Sequence, residues 1–164
     1  MKRYLLLFKF ETNYKEMKIK LLIAVFIITG CITCSKDLYT TSPTLKFESV
    51  NGTSFPQPSV VTFKLQCTDK EGDVVDTIWV QRISKVSACT SLSGIDSFPI
   101  PNFDPPKNVK ADFYFTYNYG SIFPPNLTAC SQADDTSYFR FWMHDRAQHV
   151  SDTVQSPDIA LLKQ

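Results

Sequence analysis

Apolar and polar side chains alternate along much of the chain after residue 44. In residues 60–68 every second side chain from Val61 to Cys67 is apolar, and the side chains between them are polar. Residues 108–119 repeat the pattern with larger, aromatic side chains. An alternation of period two places one face of a strand against a core and the other toward water. The pattern therefore predicts two amphipathic strands that share one core.

Shorter segments with the same character predict further strands between turn signals. They span residues 45–49, 74–83, 97–100, 137–144, 150–154 and 159–162. Asn51-Gly52 and the acidic run 69–73 are typical turn sequences, and the prolines around residues 97–100 restrict that strand to an edge. About seven short strands with turns every 8–12 residues favour an all-β fold, an immunoglobulin-like antiparallel β-sandwich.

The N-terminal segment has a different pattern. Residues 21–28 are uninterruptedly apolar, and Lys18 and Lys20 precede them. A membrane-spanning helix needs about 20 apolar residues, so this shorter run indicates an N-terminal signal helix for export. Residues 1–16 precede a second methionine, Met17, so that either translation begins at Met17 or the signal has a long basic region. We assign residues 1–30 to the export signal, which reduces to residues 17–30 if translation begins at Met17; on either reading residues 1–30 are absent from the mature protein.

The signal ends in Ile28-Thr29-Gly30-Cys31, which resembles the lipobox of bacterial lipoproteins. The resemblance implies that Cys31 is acylated and that residues 31–44 form a lipidated tether. Cys34 is the competing position. Ser35-Lys36-Asp37 resembles the charged tract of Bacteroidota-type lipoproteins. These resemblances imply a lipid-anchored protein, which we place at the cell outer membrane; they do not by themselves decide between the inner and the outer membrane, and they leave exposure at the cell surface open.

Charge and length limit the remaining possibilities. The chain has 164 residues and a net charge of +1, which gives no bulk attraction to nucleic acid. Without the signal and tether, residues 45–164 have the length of one ordinary domain. We therefore expect a single sandwich whose partners are the membrane, through the anchor, and either a glycan or another envelope protein.

The cysteines beyond the anchor suggest one disulfide. Cys89 and Cys130 fall in loops that we place at the same end of the sandwich, and an exported protein meets an oxidising compartment. We predict that they pair, although sequence alone leaves the connectivity open. Cys67 lies on the apolar side of its strand and is predicted to be a buried free thiol.

Two further features resemble immunoglobulin-like domains. Cys67 and Trp79 have about the spacing of the framework cysteine and tryptophan, although no second framework cysteine occurs near Arg140. Residues 139–154 resemble the closing hairpin of bacterial immunoglobulin-like domains, with Gln148 where glycine is usual. The resemblance implies a fold and does not imply an activity.

Acidic side chains concentrate in two predicted turns. Asp69, Glu71 and Asp73 alternate in one turn, and Asp145 begins another. In an immunoglobulin-like sandwich these two connections lie at the same end, so the four carboxylates would converge. A hard cation such as Ca²⁺ would offset their repulsion. The alternative is a solvated acidic turn without a metal.

Residues for catalysis are scarce. His144 and His149 are the two histidines of the chain, and no serine or cysteine lies in a nucleophile-elbow sequence. We therefore predict no enzymatic activity and no catalytic residues. The preferred function is a non-catalytic binding or assembly module at the cell envelope.

Outward aromatic side chains suggest an alternative function. Tyr114, Tyr119 and Trp142 are predicted to form a ligand face that stacks on sugar rings, as in a glycan-binding accessory lipoprotein of a polysaccharide-uptake system. Aromatic side chains that only cover a sheet would explain the same pattern. A small hydrolase is a third possibility, and it would require a cleft with paired carboxylates or a polarised histidine.

Overall fold

The structure, a computed structural model, describes residues 40–74 and 76–163. These residues form ten strands and one short 3₁₀ helix, Ser87–Leu92. The strands are β1 Thr44–Val50, β2 Ser54–Phe55, β3 Ser59–Asp69, β4 Thr77–Ser84, β5 Gly94–Pro99, β6 Val109–Tyr119, β7 Asn126–Leu127, β8 Asp135–His144, β9 Val154–Gln155 and β10 Ile159–Leu161. Within the described residues no helix has the length and hydrophobicity to cross a membrane.

The strands form two sheets. The first has the order β1-β3-β6-β7, and β3 pairs antiparallel with β6 over its full length, from Ser59 opposite Tyr119 to Asp69 opposite Val109. The second has the order β2-β10-β8-β4-β5, with β9 beside β8. Each sheet includes one short parallel pair, β6 with β7 and β2 with β10, so both sheets are mixed.

The apolar faces of the two sheets form one core. The predicted inward residues of β3 are all fully buried, and Phe63 lies at their centre. Its ring centroid is 4.7 Å from that of Phe139 and 5.3 Å from that of Phe141, both on β8 of the other sheet. Aromatic pairs at such distances stabilise the folded state beyond the contribution of buried apolar area alone. The alternation in residues 60–68 thus forms the contact between the sheets.

The prediction of an all-β fold is confirmed, but several strand predictions need correction. The structure has ten strands where about seven were predicted, because three two-residue strands, β2, β7 and β9, escape a search for alternation. The third predicted strand begins at Thr77 and not at residue 74. The predicted signal helix and tether lie outside the described residues, except for residues 40–44.

The predicted strand 150–154 is wrong. Only Val154–Gln155 is a strand, and Val150 makes a single bridge to His144. The reason is a pair of serines whose side chains also bond to the neighbouring strand, β8. Ser151 Oγ accepts the Met143 N–H at 3.0 Å, and Ser156 Oγ accepts the Phe139 N–H at 2.9 Å. Side-chain hydrogen bonds of this kind compete with the regular backbone hydrogen bonds between neighbouring strands.

The three cysteines of the described residues have distinct environments. Cys89, in the 3₁₀ helix, and Cys130, before β8, form a disulfide with a Cα–Cα distance of 5.6 Å. Cys67 is a buried free thiol, as predicted, and it lies 3.5 Å from Met143 Sδ. Burial raises the pKa of the Cys67 thiol to about 12, so it stays protonated at neutral pH.

A buried polar network lies between β4 and the start of β8. Arg82 donates to Asp135 Oδ2 at 2.7 Å, to the Thr128 carbonyl at 2.9 Å and to Ser137 Oγ at 3.3 Å. Ser84 and Ser137 both donate to the same Asp135 carboxylate. Arg82 and Asp135 are almost inaccessible to solvent. Such a pair is tolerated in a core only because all these partners replace water.

Candidate functional site

The acidic turn after β3 is shaped by its own first carboxylate. Asp69 Oδ1 accepts the N–H groups of Glu71 at 2.9 Å and Gly72 at 2.6 Å, which fixes the Asp69 side chain inside the turn. Gly72 has a φ of +77°, and a Cβ at this position would lie 2.5 Å from the Pro106 carbonyl oxygen. The sequence therefore needs glycine here to bring the turn beneath the proline-rich loop.

The turn after β8 is built around a second carboxylate. Asp145 Oδ1 accepts the His149 N–H at 2.7 Å, and Asp145 Oδ2 lies 2.9 Å from His149 Nδ1. The hydrogen bond to Asp145 raises the pKa of the His149 ring. The Arg146 N–H donates to the Asp73 carbonyl at 2.9 Å and so joins this turn to the one after β3.

These two turns bring three carboxylates together. One carboxylate oxygen from each of Asp69, Asp73 and Asp145 lies within 4.8 Å of those of the other two. Asp69 and Asp145 are fully buried. Within the described part of the chain, Asp69 Oδ2 and Asp73 Oδ1 are buried with no hydrogen-bond partner. Burial and the charges of Asp145 and Asp69 raise the pKa of Asp73.

The fourth residue of the predicted set does not belong to this cluster. Glu71 is exposed, and its carboxylate is not among the oxygens that converge. The structure thus unites three of the four predicted acidic side chains and directs Glu71 to solvent. The chain bends at Gly72, so that alternate residues in the turn do not share one side as they do in a strand.

The predicted ligand face of Tyr114, Tyr119 and Trp142 does not exist as one surface. Tyr119 is fully buried and donates its hydroxyl to the Leu162 carbonyl at 2.9 Å. The prediction was wrong because Tyr119 continues the inward alternation of β6 after Tyr117. Tyr114 is 64% exposed on the outer side of β6, whereas Trp142 belongs to β8 in the other sheet.

Trp142 instead belongs to an aromatic pair on the outer face of the six-stranded sheet. It lies opposite Trp79 in the register of β4 and β8, with ring centroids 6.3 Å apart and planes within 6° of parallel. Both are partly exposed, and Gln81 and Arg140 form the next outward pair along the strands. His144 lies beside Trp79, with ring centroids 6.5 Å apart. We call the surface formed by Trp79, Trp142, Gln81 and Arg140 the tryptophan face.

A shallow apolar cleft opens where β5 and β6 approach each other across the two sheets. Its volume is about 280 Å³, below that of most small-molecule sites. Its lining includes Ile78, Phe98, Ile100, Phe113, Phe115 and Pro125. No charged side chain is among its lining residues, and Tyr114 and Thr116 supply its side-chain hydroxyl groups.

Comparisons with known proteins add little beyond the architecture. No protein-family model and no curated protein matches the chain. Among solved structures, it is similar to the sporulation control protein Spo0M from Bacillus subtilis, with a TM-score of 0.43, 11% identity, and coverage of 76% of this chain and 51% of Spo0M. The chain thus spans about half the length of Spo0M.

Two further structures have comparable likeness. A Niemann-Pick type C2 protein from Japanese carpenter ant has a TM-score of 0.42 at 11% identity, over 73% of this chain and 94% of that protein. A β-glucosidase from Listeria innocua, in complex with gluconolactone, has a TM-score of 0.37 at 9% identity, over 74% of this chain and 16% of the enzyme. Likeness at this level assigns no function.

Proposed function

We propose that the protein is a lipid-anchored, non-catalytic binding module of the cell envelope that binds its partner through the tryptophan face. The observation that carries this proposal is the outward Trp79–Trp142 pair, since most aromatic side chains of the described residues lie in the core or pack against it. Tryptophan is enriched where binding surfaces need a large, rigid contact area. The acylated Cys31 would hold this surface at the membrane.

The arrangement of strands supports an immunoglobulin-like classification of the sandwich. One sheet contains β1-β3-β6, and the other contains β10-β8-β4-β5. Labelled A, B, E and G, F, C, C′ in chain order, these strands follow the pairing of immunoglobulin-like domains. Binding in such folds concentrates on a sheet face or on the turns at one end. In this protein the tryptophan face lies on one sheet, and the three clustered carboxylates lie in the turns at one end.

The lipid anchor can be tested by intact mass and membrane retention. We expect protein extracted from membranes to begin at Cys31 and to carry acyl chains, and we expect Cys31→Ala to lose both the acyl mass and membrane retention. Cys34→Ala is the matched control and should keep both. If the wild-type protein is unacylated, or if only Cys34→Ala loses the acyl mass, the assignment of the anchor to Cys31 is wrong.

A glycan is the partner class that the composition of the tryptophan face favours. Near-parallel indole rings offer flat apolar surfaces for sugar rings, while Gln81 and Arg140 offer hydrogen bonds to hydroxyl groups. The proposed glycan site therefore consists of Trp79 and Trp142 and includes neither Tyr114 nor Tyr119 of the predicted ligand face. Another envelope protein is the competing partner class.

The glycan proposal can be tested by tryptophan fluorescence titration with starch, xylan and a soluble β-glucan. We expect saturable quenching by at least one polysaccharide, and we expect Trp79→Ala and Trp142→Ala to weaken binding tenfold or more, which corresponds to about 1.4 kcal/mol. Tyr114→Ala, on the opposite sheet, should bind as the wild type does. Absence of quenching by all three, or equal loss in the Tyr114 variant, would argue against a sugar-binding tryptophan face.

A further inference from the structure

We propose that Asp69, Asp73 and Asp145 bind one Ca²⁺ ion that fastens the two sheets together at this end of the sandwich. Asp69 ends β3 in the four-stranded sheet, and Asp145 directly follows β8 in the six-stranded sheet. Asp73 lies in the connection from β3 to β4. An ion shared by the three side chains would thus link strands that share no backbone hydrogen bonds.

The first argument is the unpartnered oxygen of Asp69. This side chain is fully buried, and its Oδ1 is already used by two backbone N–H groups of its own turn. Its Oδ2 is buried without a hydrogen-bond partner in the described residues. A carboxylate oxygen in this state raises the free energy of the folded protein, because it has lost its hydrogen bonds to water and has no protein partner that replaces them. A cation would supply the missing partner.

The second argument is the balance of charge. Within residues 40–74 and 76–163, no lysine or arginine nitrogen forms an ion pair with these three carboxylates. Arg146, next to Asp145, directs its guanidinium to Asn102 Oδ1 at 3.2 Å, and Lys70, next to Asp69, is exposed. His149 Nδ1 lies 2.9 Å from Asp145 Oδ2, and the His149 side chain is 43% exposed. Three acidic groups in a mostly buried site therefore lack sufficient positive charge.

The third argument is the distance between the oxygens. Each Ca²⁺–oxygen bond is about 2.3–2.6 Å long, so two ligands on opposite sides of one ion lie about 5 Å apart. The three carboxylates offer oxygens within 4.8 Å of one another, which one ion can bridge. Ca²⁺ is favoured over Mg²⁺ because its coordination shell is larger and more tolerant of irregular geometry. Waters and backbone carbonyls would complete the shell.

His149 would act in this site as a positioning residue and not as a ligand. Its Nδ1 and its backbone N–H both contact the Asp145 carboxylate, at 2.9 and 2.7 Å. Outer contacts of this kind fix the orientation of a ligating carboxylate. The all-oxygen ligand set that remains is the chemistry of a calcium site and not of a zinc site.

The proposal can be tested by thermal unfolding of the full-length protein in detergent, with excess EGTA or with Ca²⁺ added after its removal. At a hundredfold excess over the dissociation constant, Ca²⁺ is expected to raise Tm by about 5–10 °C. Isothermal titration calorimetry with Ca²⁺ should give one site per chain, and Mg²⁺ should bind more weakly. Asp69→Asn and Asp73→Asn should each abolish the Tm shift.

The behaviour of Asp69→Asn in EGTA provides a second readout. Asparagine keeps the Oδ1 acceptor for the two backbone N–H groups and removes one negative charge, so this variant should melt at a higher temperature than the wild type without Ca²⁺ and at a lower one with it. Asp152→Asn, at an exposed site, is the matched control and should keep the full Ca²⁺ shift. A wild-type protein that binds no Ca²⁺, or variants that keep the whole shift, would overturn the proposal.

Discussion

Replacement of Asp135 by asparagine is expected to lower the free energy of unfolding by about 3–5 kcal/mol. The change leaves the Arg82 guanidinium buried with no opposite charge, although its nitrogen lies 2.7 Å from Asp135 Oδ2 in the wild type. It also weakens the acceptor that serves Ser84 and Ser137. The cost comes from the unpaired charge that remains, and not from the lost attraction alone.

Urea denaturation followed by circular dichroism would measure this loss. Asp134→Asn is the matched control, because Asp134 is the adjacent exposed acid and its backbone partner, the Lys163 N–H, can still bond to an asparagine oxygen. We expect this control to change stability by less than about 0.5 kcal/mol. The double variant Arg82→Met, Asp135→Leu should recover much of the loss, because an apolar pair leaves no buried charge. Equal stability of the two single Asp→Asn variants would contradict the proposed role of the pair.

Loss of the disulfide is expected to have an effect of similar size. Cys89 and Cys130 are 41 residues apart in sequence, and closing a loop of that length removes entropy from the unfolded chain worth about 4 kcal/mol at 25 °C. The bond links the 3₁₀ helix after β4 to the loop before β8. Its removal should therefore act mainly through the unfolded state, and the folded core should remain intact.

The double variant Cys89→Ser, Cys130→Ser would measure this contribution by the same denaturation assay. Dithiothreitol is the internal control: it should destabilise the wild type to the level of the variant and leave the variant unchanged. The free thiol Cys67 is present in both proteins, so it cannot account for the difference. A reductant effect of equal size in both proteins would show that the stabilisation does not come from this disulfide.

Regular strands were predictable because each repeats one simple rule. In β3 and β6 the alternation of side chains fixes the buried face, and the structure follows it from Ser59 opposite Tyr119 to Asp69 opposite Val109. The rule fails where side chains replace backbone partners, as Ser151 does toward Met143. The spacing of apolar residues does not show where a side chain takes the place of a backbone hydrogen-bond partner. The irregular backbone of residues 150–154 was therefore not predictable from the sequence.

The acidic cluster was predictable in part. The two turns follow strands that end at the same end of the sandwich, and this brings Asp69 and Asp145 together. The order in which the strands are connected was enough to predict it. The orientation of the Glu71 side chain depends on the bend at Gly72, which has a φ of +77°. The alternation of side chains along a strand does not predict the orientation of a side chain in a turn. Gln148 adopts a φ of +68°, in the left-handed region that favours glycine, and the sequence pattern of strands does not reveal this either.

Other site residues were missed although the sequence contained a signal. Arg82 continues the inward alternation of Ile78 and Val80 on β4, and a charged residue on an apolar face requires a buried partner. Trp79 lies on the opposite side of the same strand, but its pairing with Trp142 needs the β4–β8 register. Registers between distant strands are a property of the whole fold, so local patterns do not contain them.

The pairing of distant strands also has a kinetic consequence. β3 pairs with β1 early in the chain, but its second neighbour is β6, and the inner neighbour of β4 is β8, which ends at His144. Chains dominated by such nonlocal contacts fold slowly, in about milliseconds to seconds. During synthesis neither sheet is complete until most of the domain has left the ribosome. This delay suits a chain that must stay unfolded while it is exported, as the proposed envelope location requires.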